Sequence, residues 1–183
     1  MLAGKKLFLR ALEESDLPTL QSWRNNESFR KYFREFRELT LNDQKNWFDS
    51  YVVRNDRSLM FGIIETKTNK LIGVCGLCYI NWVYGNADLS LYIGKDNIYI
   101  DTQKDGFAWQ TLDILFEYAF NRLNIHKIWT EIYEFDLLKS KLYNEYGFSK
   151  DAVLRDNYFY DGKYQDSHIY SILAPTWREN MKN

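Results

Sequence analysis

Hydrophobic and polar positions change period several times along this chain, and each change marks an element. From Lys6 to Arg10 apolar and polar residues alternate, which predicts a short first strand. Ser15 reads as an N-cap, with Pro18 tolerated in the first turn of a helix running to about Asn25. Thr40 and Asp43 make a capping-box-like start for a helix carrying Trp47, Phe48, Tyr51 and Val52. Two strands follow, Ser58 to Thr66 and Leu71 to Trp82, joined by a hairpin turn at residues 67–70. The turn Tyr84-Gly85-Asn86 leads into another strand, Ala87 to Ile93.

The longest helical pattern runs from Gln103 to Phe120. Ala108, Leu112, Leu115, Phe116, Ala119, Phe120 and Leu123 fall on one stripe, the spacing of a buried helix face. His126 to Glu134 reads as a strand. Asp136 can cap a helix with Leu138, Leu142 and Tyr146 on one side and Gly147 at its C-terminal end. The last two strands flank Tyr160-Asp161-Gly162-Lys163, where Asp-Gly accepts the positive φ of a tight hairpin. The tail from Pro175 to Asn183 is polar and is expected to fray. With no repeat, low-complexity tract or linker, residues 1–183 read as a single mixed α/β domain with its core at about 5–174.

Two stretches carry candidate chemistry. In the strand from Ala87 to Ile93, Ala87, Leu89, Leu91 and Ile93 share one face, and Asp88, Ser90 and Tyr92 share the other. A polar stripe on such a strand suggests an edge or the wall of a cleft. The start of the long helix reads Q-x-x-G-x-A, with Gln103, Gly106 and Ala108. Small residues there let a ligand approach the backbone, and unpaired N–H groups at a helix start suit a phosphate. Arg30, Arg34 and Arg37 would share one helical face, either solvated or touching an anionic ligand group. Cys75 and Cys78 form a C-x-x-C, but three residues apart on a strand they point to opposite faces. With no second cysteine pair to complete a zinc site, no metal is expected.

Composition narrows the classes. The chain of 183 residues is 45% hydrophobic and 17% aromatic, so it folds, with 14 tyrosines to line pockets. A net charge of −1 announces neither nucleic acid nor an anionic membrane as partner. No apolar run reaches membrane-span length, and MLAGKKLFLR holds no signal-peptide core. A cytoplasmic location is therefore expected.

Over nearly its whole length the sequence resembles the GNAT superfamily of acyl-CoA-dependent N-acetyltransferases. The order strand, two helices, three antiparallel strands, helix, strand, helix, two strands matches that family. So do Gln103-x-x-Gly106-x-Ala108 and the run Leu142-Tyr143-Asn144-Glu145-Tyr146-Gly147-Phe148. Leu123–Ile128 and Asp161–Asp166 are similar to the branch with ribosomal-protein and spermidine acetyltransferases, and Trp23-Arg24-Asn25 to aminosugar-acetylating members. The resemblance implies a mostly antiparallel mixed sheet of about seven strands flanked by helices, with acetyl-CoA as acetyl donor. It places the donor's diphosphate at Gln103, Lys104, Asp105, Gly106, Phe107 and Ala108. The rest of the donor would lie along Leu91, Tyr92 and Ile93 and beside Asp136, Lys139 and Tyr143. Residues 97–102 read as an insertion relative to that family, and Asp136 stands where relatives often have Asn.

The implied reaction is direct attack of a neutral amine on the thioester. Tyr143 is the candidate acid for the leaving thiolate, since a phenol near about 10 can protonate a thiolate near about 8.5. Asp88 is the candidate base, directly or through a water, with Glu131 as runner-up. Backbone N–H groups near Tyr92 and Ile93 would stabilise the oxyanion. The acceptor is a protein N-terminus, an aminosugar or a polyamine, and a polyamine would call for several carboxylates. A non-catalytic acyl-CoA-binding or interaction module is the alternative. Proteins of this kind are commonly dimers, which makes a homodimer the candidate assembly.

Overall fold

Period-2 patterning does set the strands of this computed structural model, which describes residues 1–182. The strands are β1 (Leu2–Ala3), β2 (Leu7–Ala11), β3 (Leu59–Glu65), β4 (Lys70–Asn81), β5 (Asn86–Ile93), β6 (Lys127–Tyr133), β7 (Ser149–Tyr160) and β8 (Lys163–Leu173). They form one eight-stranded sheet in the order β1-β2-β3-β4-β5-β6-β8-β7. The strand beyond the seven expected is the two-residue β1. Every neighbouring pair is antiparallel except β5 and β6, which run parallel. A parallel pair needs a crossover, and α4 (Phe107–Asn121) supplies it.

That parallel pairing covers only Asn86–Asp88 against Lys127–Trp129, after which the ladder stops and the strands part. The gap past Asp88 organises the site. β4 continues to hold the other side of β5, pairing Cys75 with Leu91 and Val74 with Tyr92.

The helices are α1 (Leu17–Asn25), α2 (Glu27–Arg30), α3 (Leu41–Trp47), α4, α5 (Leu137–Tyr146) and α6 (Ala174–Asn180). The Thr40–Asp43 capping box opens α3 as expected. α4 buries Ala108, Leu112, Leu115, Phe116, Ala119 and Phe120, the stripe read from the sequence, with Leu123 partly buried. α5 ends at Gly147, whose φ of +104° is costly for other residues. Asp161 and Gly162 take positive φ in the hairpin between β7 and β8.

Four expectations change. Glu13, not Ser15, starts the first helical turn, because Asp16 returns to the Glu13 N–H and pairs with Arg10 at 2.7 Å. Arg30, Arg34 and Arg37 do not share a helix face, because α2 stops at Arg30. Leu138 is exposed although Leu142 and Tyr146 beside it are buried. The tail does not fray at Pro175: Pro takes the first turn of α6, and Trp177 sits in the core at 6% exposure. Its ring lies 5.4 Å from Phe120, and its Nε1 donates to the Tyr146 hydroxyl at 3.2 Å. Trp177→Ala is expected to destabilise the fold by about 3–5 kcal/mol. Thermal denaturation should show a Tm lower by about 10 °C; a shift within a degree or two would mean α6 is merely adherent.

Candidate active site

Where β5 and β6 part, a cleft of about 260 Å³ opens on the polar face of β5. Asp88, Ser90, Leu91 and Tyr92 line it from β5, Thr130 and Glu131 from β6, and Lys139 from α5. The alternation in the Ala87–Ile93 strand therefore does mark a cleft wall. Thr130 Oγ1 donates to the Leu89 carbonyl at 3.3 Å, a side-chain tie just past the last backbone pair. Tyr92 turns its ring to Trp23 and Phe33, with centroids at 6.1 and 5.2 Å.

The charges in the cleft are coupled. Burial pushes the Asp88 carboxyl up to about 7; Arg34 and Lys139 pull it down, and Glu131 adds to the rise. Glu131 is engaged at both oxygens. Arg34 Nη2 reaches Oε2 at 2.7 Å, while Asn157 Nδ2 and Ser167 Oγ donate to Oε1 at 2.7 and 2.6 Å. Lys139 has its ammonium pKa lowered by burial, against the pull of Asp136 and Asp88. Cys78 also lines the cleft, its thiol pushed up to about 11 by burial and then by Asp88. Cys75 is buried on the other face, so the two thiols do part company.

Tyr143 is fully buried and does not line the cleft; its hydroxyl lies against Thr130, which does. Burial raises its pKa well above the usual value, with Asp136 and Asp88 adding to the rise. Asp136 caps α5, accepting from the Lys139 N–H at 3.1 Å. Its Oδ2 also accepts from the Tyr99 hydroxyl at 3.2 Å.

Gln103 to Ala108 do form the entry to α4, but the helix begins at Phe107 with Gly106 as its N-cap. Gln103, Lys104 and Asp105 are exposed; Lys104 leans over Trp109, and Asp105 takes a φ of +67°. The first N–H groups of the helix are occupied. Phe107 N–H donates to Asp101 Oδ2 and Ala108 N–H to Asp101 Oδ1, both at 2.7 Å. A Cβ on Gly106 would stand 2.6 Å from Asp101 Oδ2. Gly106 has φ −68° and ψ 175°, open to any residue, so glycine is required here by contact rather than by conformation.

At the other end of the gap, Ile93 N–H donates to the Tyr99 carbonyl at 2.8 Å. Residues 95–102 thus fold back from β5, through a 3₁₀ turn at Lys95–Asn97, and run to the α4 N-terminus. A helix-end pair of N–H groups flanked by glycine and alanine fits a diphosphate, and the chain's own carboxylate fills it.

Several residues of the site take places that the sequence pattern does not show, Arg34 among them although it reads there as solvated or touching an anionic ligand group. Arg34 is a cleft residue paired across to β6, which no local pattern could show. Tyr32 and Phe33 line the cleft and also pack on Tyr99. Asp101 lies in the loop between β5 and α4, and an Asp ahead of a glycine-led helix is a capping signal in its own right.

Residues 6–149 match the model of the acetyltransferase (GNAT) domain. A spermidine N(1)-acetyltransferase of Vibrio cholerae is 27% identical over 170 residues, spanning 93% of this chain and 94% of that protein. A probable N-acetyltransferase of Bacillus subtilis is 28% identical, over 96% of this chain and 98% of its own length. The Vibrio cholerae spermidine N-acetyltransferase solved with CoA and spermine superposes with a TM-score of 0.84 at 26% identity, covering 96% of this chain and 99% of that one. With the parted β5 and β6, the glycine-led α4 and a matching family model over most of its length, the chain belongs to the GNAT acetyltransferase family.

Proposed function

We propose that this protein transfers an acetyl group from acetyl-CoA to a primary amine, with Asp88 as base and Tyr143 as acid. The observation that carries the assignment is Asp88: a carboxyl lifted to about 7 on the wall of the cleft between the parted strands. A base near neutral pH exists as carboxylate in useful amount and still holds a proton well enough to take one. Glu131, tied to Arg34, Asn157 and Ser167, positions Arg34 beside Asp88. The donor brings a thioester whose thiolate must be protonated on leaving, and the Tyr143 hydroxyl, buried against the cleft residue Thr130, would be the donor for it. Gly106 and the first N–H groups of α4 would hold the diphosphate, with Gln103, Lys104, Asp105, Phe107 and Ala108 at its entry. Leu91, Tyr92, Ile93, Asp136 and Lys139 would flank the remainder.

The acceptor follows from charge. Relatives named for spermidine make polyamines the first comparison. The cleft here sets the cations Arg24, Arg34 and Lys139 against the carboxylates Asp88 and Glu131. With Arg34 paired to Glu131 and Lys139 beside the donor, Asp88 is the carboxylate left to receive an ammonium group, and a polyamine is the acceptor class the relatives support. CoA release measured with spermidine, an aminosugar phosphate and a free N-terminal peptide tests both levels. Spermidine should exceed the other two in kcat/KM, and Tyr143→Phe should slow turnover about tenfold or more with acetyl-CoA affinity nearly unchanged. Release with none of them overturns the enzyme reading for these amines; unaltered turnover makes Tyr143 structural.

A second copy of the chain is the proposed partner. β7 is an exposed edge carrying Val153, Leu154 and Phe159, and a Vibrio cholerae relative was solved as a dodecamer. No helix among the described residues is long and apolar enough to cross a membrane. The free Cys75 and Cys78 suit a reducing compartment such as the cytoplasm.

A further inference from the structure

Residues 95–102 touch the α4 N-terminus, Ile93, Asp136 and Lys139, all of which the acetyl-CoA reading assigns to the donor. Asp101 puts both carboxylate oxygens on the helix-end N–H groups of α4, where a diphosphate would sit. Tyr99 takes the Ile93 N–H with its carbonyl and reaches Asp136 with its hydroxyl. Its ring is 5% exposed and stacked on Tyr32 at 4.1 Å, with Phe29 and Phe33 around it and the Lys139 ammonium 5.0 Å from its centre. The segment therefore spans from the end of α4, along β5, to the start of α5. It lays one anion on the α4 N–H groups and one long flat side chain between the end of β5 and the start of α5, beside the open cleft.

We propose that residues 95–102 are an internal occupant of the donor site, Asp101 standing in for the diphosphate and Tyr99 for the arm that carries the acyl group, and that acetyl-CoA binds by expelling them. This rests on the acetyl-CoA reading of the site. Two anions cannot share one pair of N–H groups, so Asp101 and the diphosphate exclude each other. The segment is built to leave as well as to stay. It turns on Asp96 and Asn97, both at positive φ, and is tethered at its near end by Lys95 to Glu65 and by Asn26 to Asn97. These ties hold the hinge while the Tyr99–Asp101 end swings. Tyr32 and Phe33 both grip Tyr99 and line the acceptor cleft, so release of the segment reshapes the acceptor's wall too. An occupied site lowers apparent affinity by the fraction of molecules that are open.

Calorimetric titration with acetyl-CoA of the wild type, Asp101→Ala and Asp101→Asn tests this, with amide exchange followed over residues 95–102. Asp101→Ala should bind about tenfold tighter or more, and Asp101→Asn should fall between, since Asn still caps a helix but without charge. In the wild type, saturating acetyl-CoA should speed exchange across 95–102 while β4 and β5 stay protected. Equal or weaker binding by both folded variants overturns the proposal, as does a segment that stays protected in the acetyl-CoA complex. If Asp101→Ala fails to fold, exchange in the wild type decides alone. Absence of binding by every variant at millimolar acetyl-CoA overturns the donor reading itself, and is a different result from binding that ignores Asp101.

Discussion

Gly106→Glu is expected to abolish acetyl-CoA binding, moving the dissociation constant beyond the millimolar range. The first reason is space. A Cβ at this position already meets the carboxylate of Asp101 and the Gln103 carbonyl, at 2.6 and 2.9 Å. Any group bound at the Phe107 and Ala108 N–H groups occupies the same volume. The second reason is charge, since a carboxylate on the N-cap residue points a like charge at a diphosphate. The φ and ψ of Gly106 do not require glycine, so the cost to the fold is confined to the Gln103 carbonyl, which must shift, and to the Asp101 cap. Losing that cap would cost about 1 kcal/mol. The readout is the rise in Tm on adding acetyl-CoA, which for a ligand at a hundredfold its dissociation constant is worth about 2.7 kcal/mol. The wild type should show it and Gly106→Glu should not. A preserved shift would move the diphosphate away from α4.

Local features of the fold are legible where short-range chemistry decides them. The Thr40–Asp43 capping box, the Asp161-Gly162 turn and Gly147 at the end of α5 each depend on a few adjacent residues. The alternation of Asp88, Ser90 and Tyr92 marks a cleft because polar side chains on a strand inside a sheet must face water or a ligand to stay solvated. What stays hidden depends on pairs far apart in sequence. The parting of β5 from β6 is a property of two strands separated by α4. Arg34 meets Glu131 across 97 residues, and Tyr99 meets Asp136 across 37. Trp177 reads as part of a polar tail because one aromatic among charged residues gives no periodicity. Its burial depends on Phe120 and Tyr146. The length of the loop from Gly94 to Thr102 is visible in the sequence, but its destination is not.

Asp88→Asn carries the other large effect, and it has opposite signs for rate and for stability. As base, Asp88 must be a carboxylate when the ammonium of the acceptor gives up its proton. With burial lifting its pKa to about 7, the carboxylate form is accessible near neutral pH. Removing a positioned base lowers rate by about 10²–10⁴-fold. The bend in kcat/KM against pH near 7 should vanish with it, leaving the ascending limb set by the acceptor amine. Stability moves the other way. Burial raises the folded-state pKa above the ordinary carboxylate value, so between about 4 and 7 the folded protein binds more protons than the unfolded chain. Stability therefore falls as pH rises through that window, and above pH 7 the folded state carries the full penalty of a desolvated charge. Asparagine carries no such penalty, so the variant should melt higher than the wild type at pH 8 and show no gain at pH 4. Arg34 and Lys139 oppose this by attracting the carboxylate, but burial is the larger influence, which fixes the direction. A variant slowed a thousandfold yet more stable at pH 8 is the signature of a charge kept for chemistry. A variant both slow and unstable at pH 8 would instead mean that Asp88 holds Arg34 and Lys139 in place, and the base would have to be sought elsewhere in the cleft.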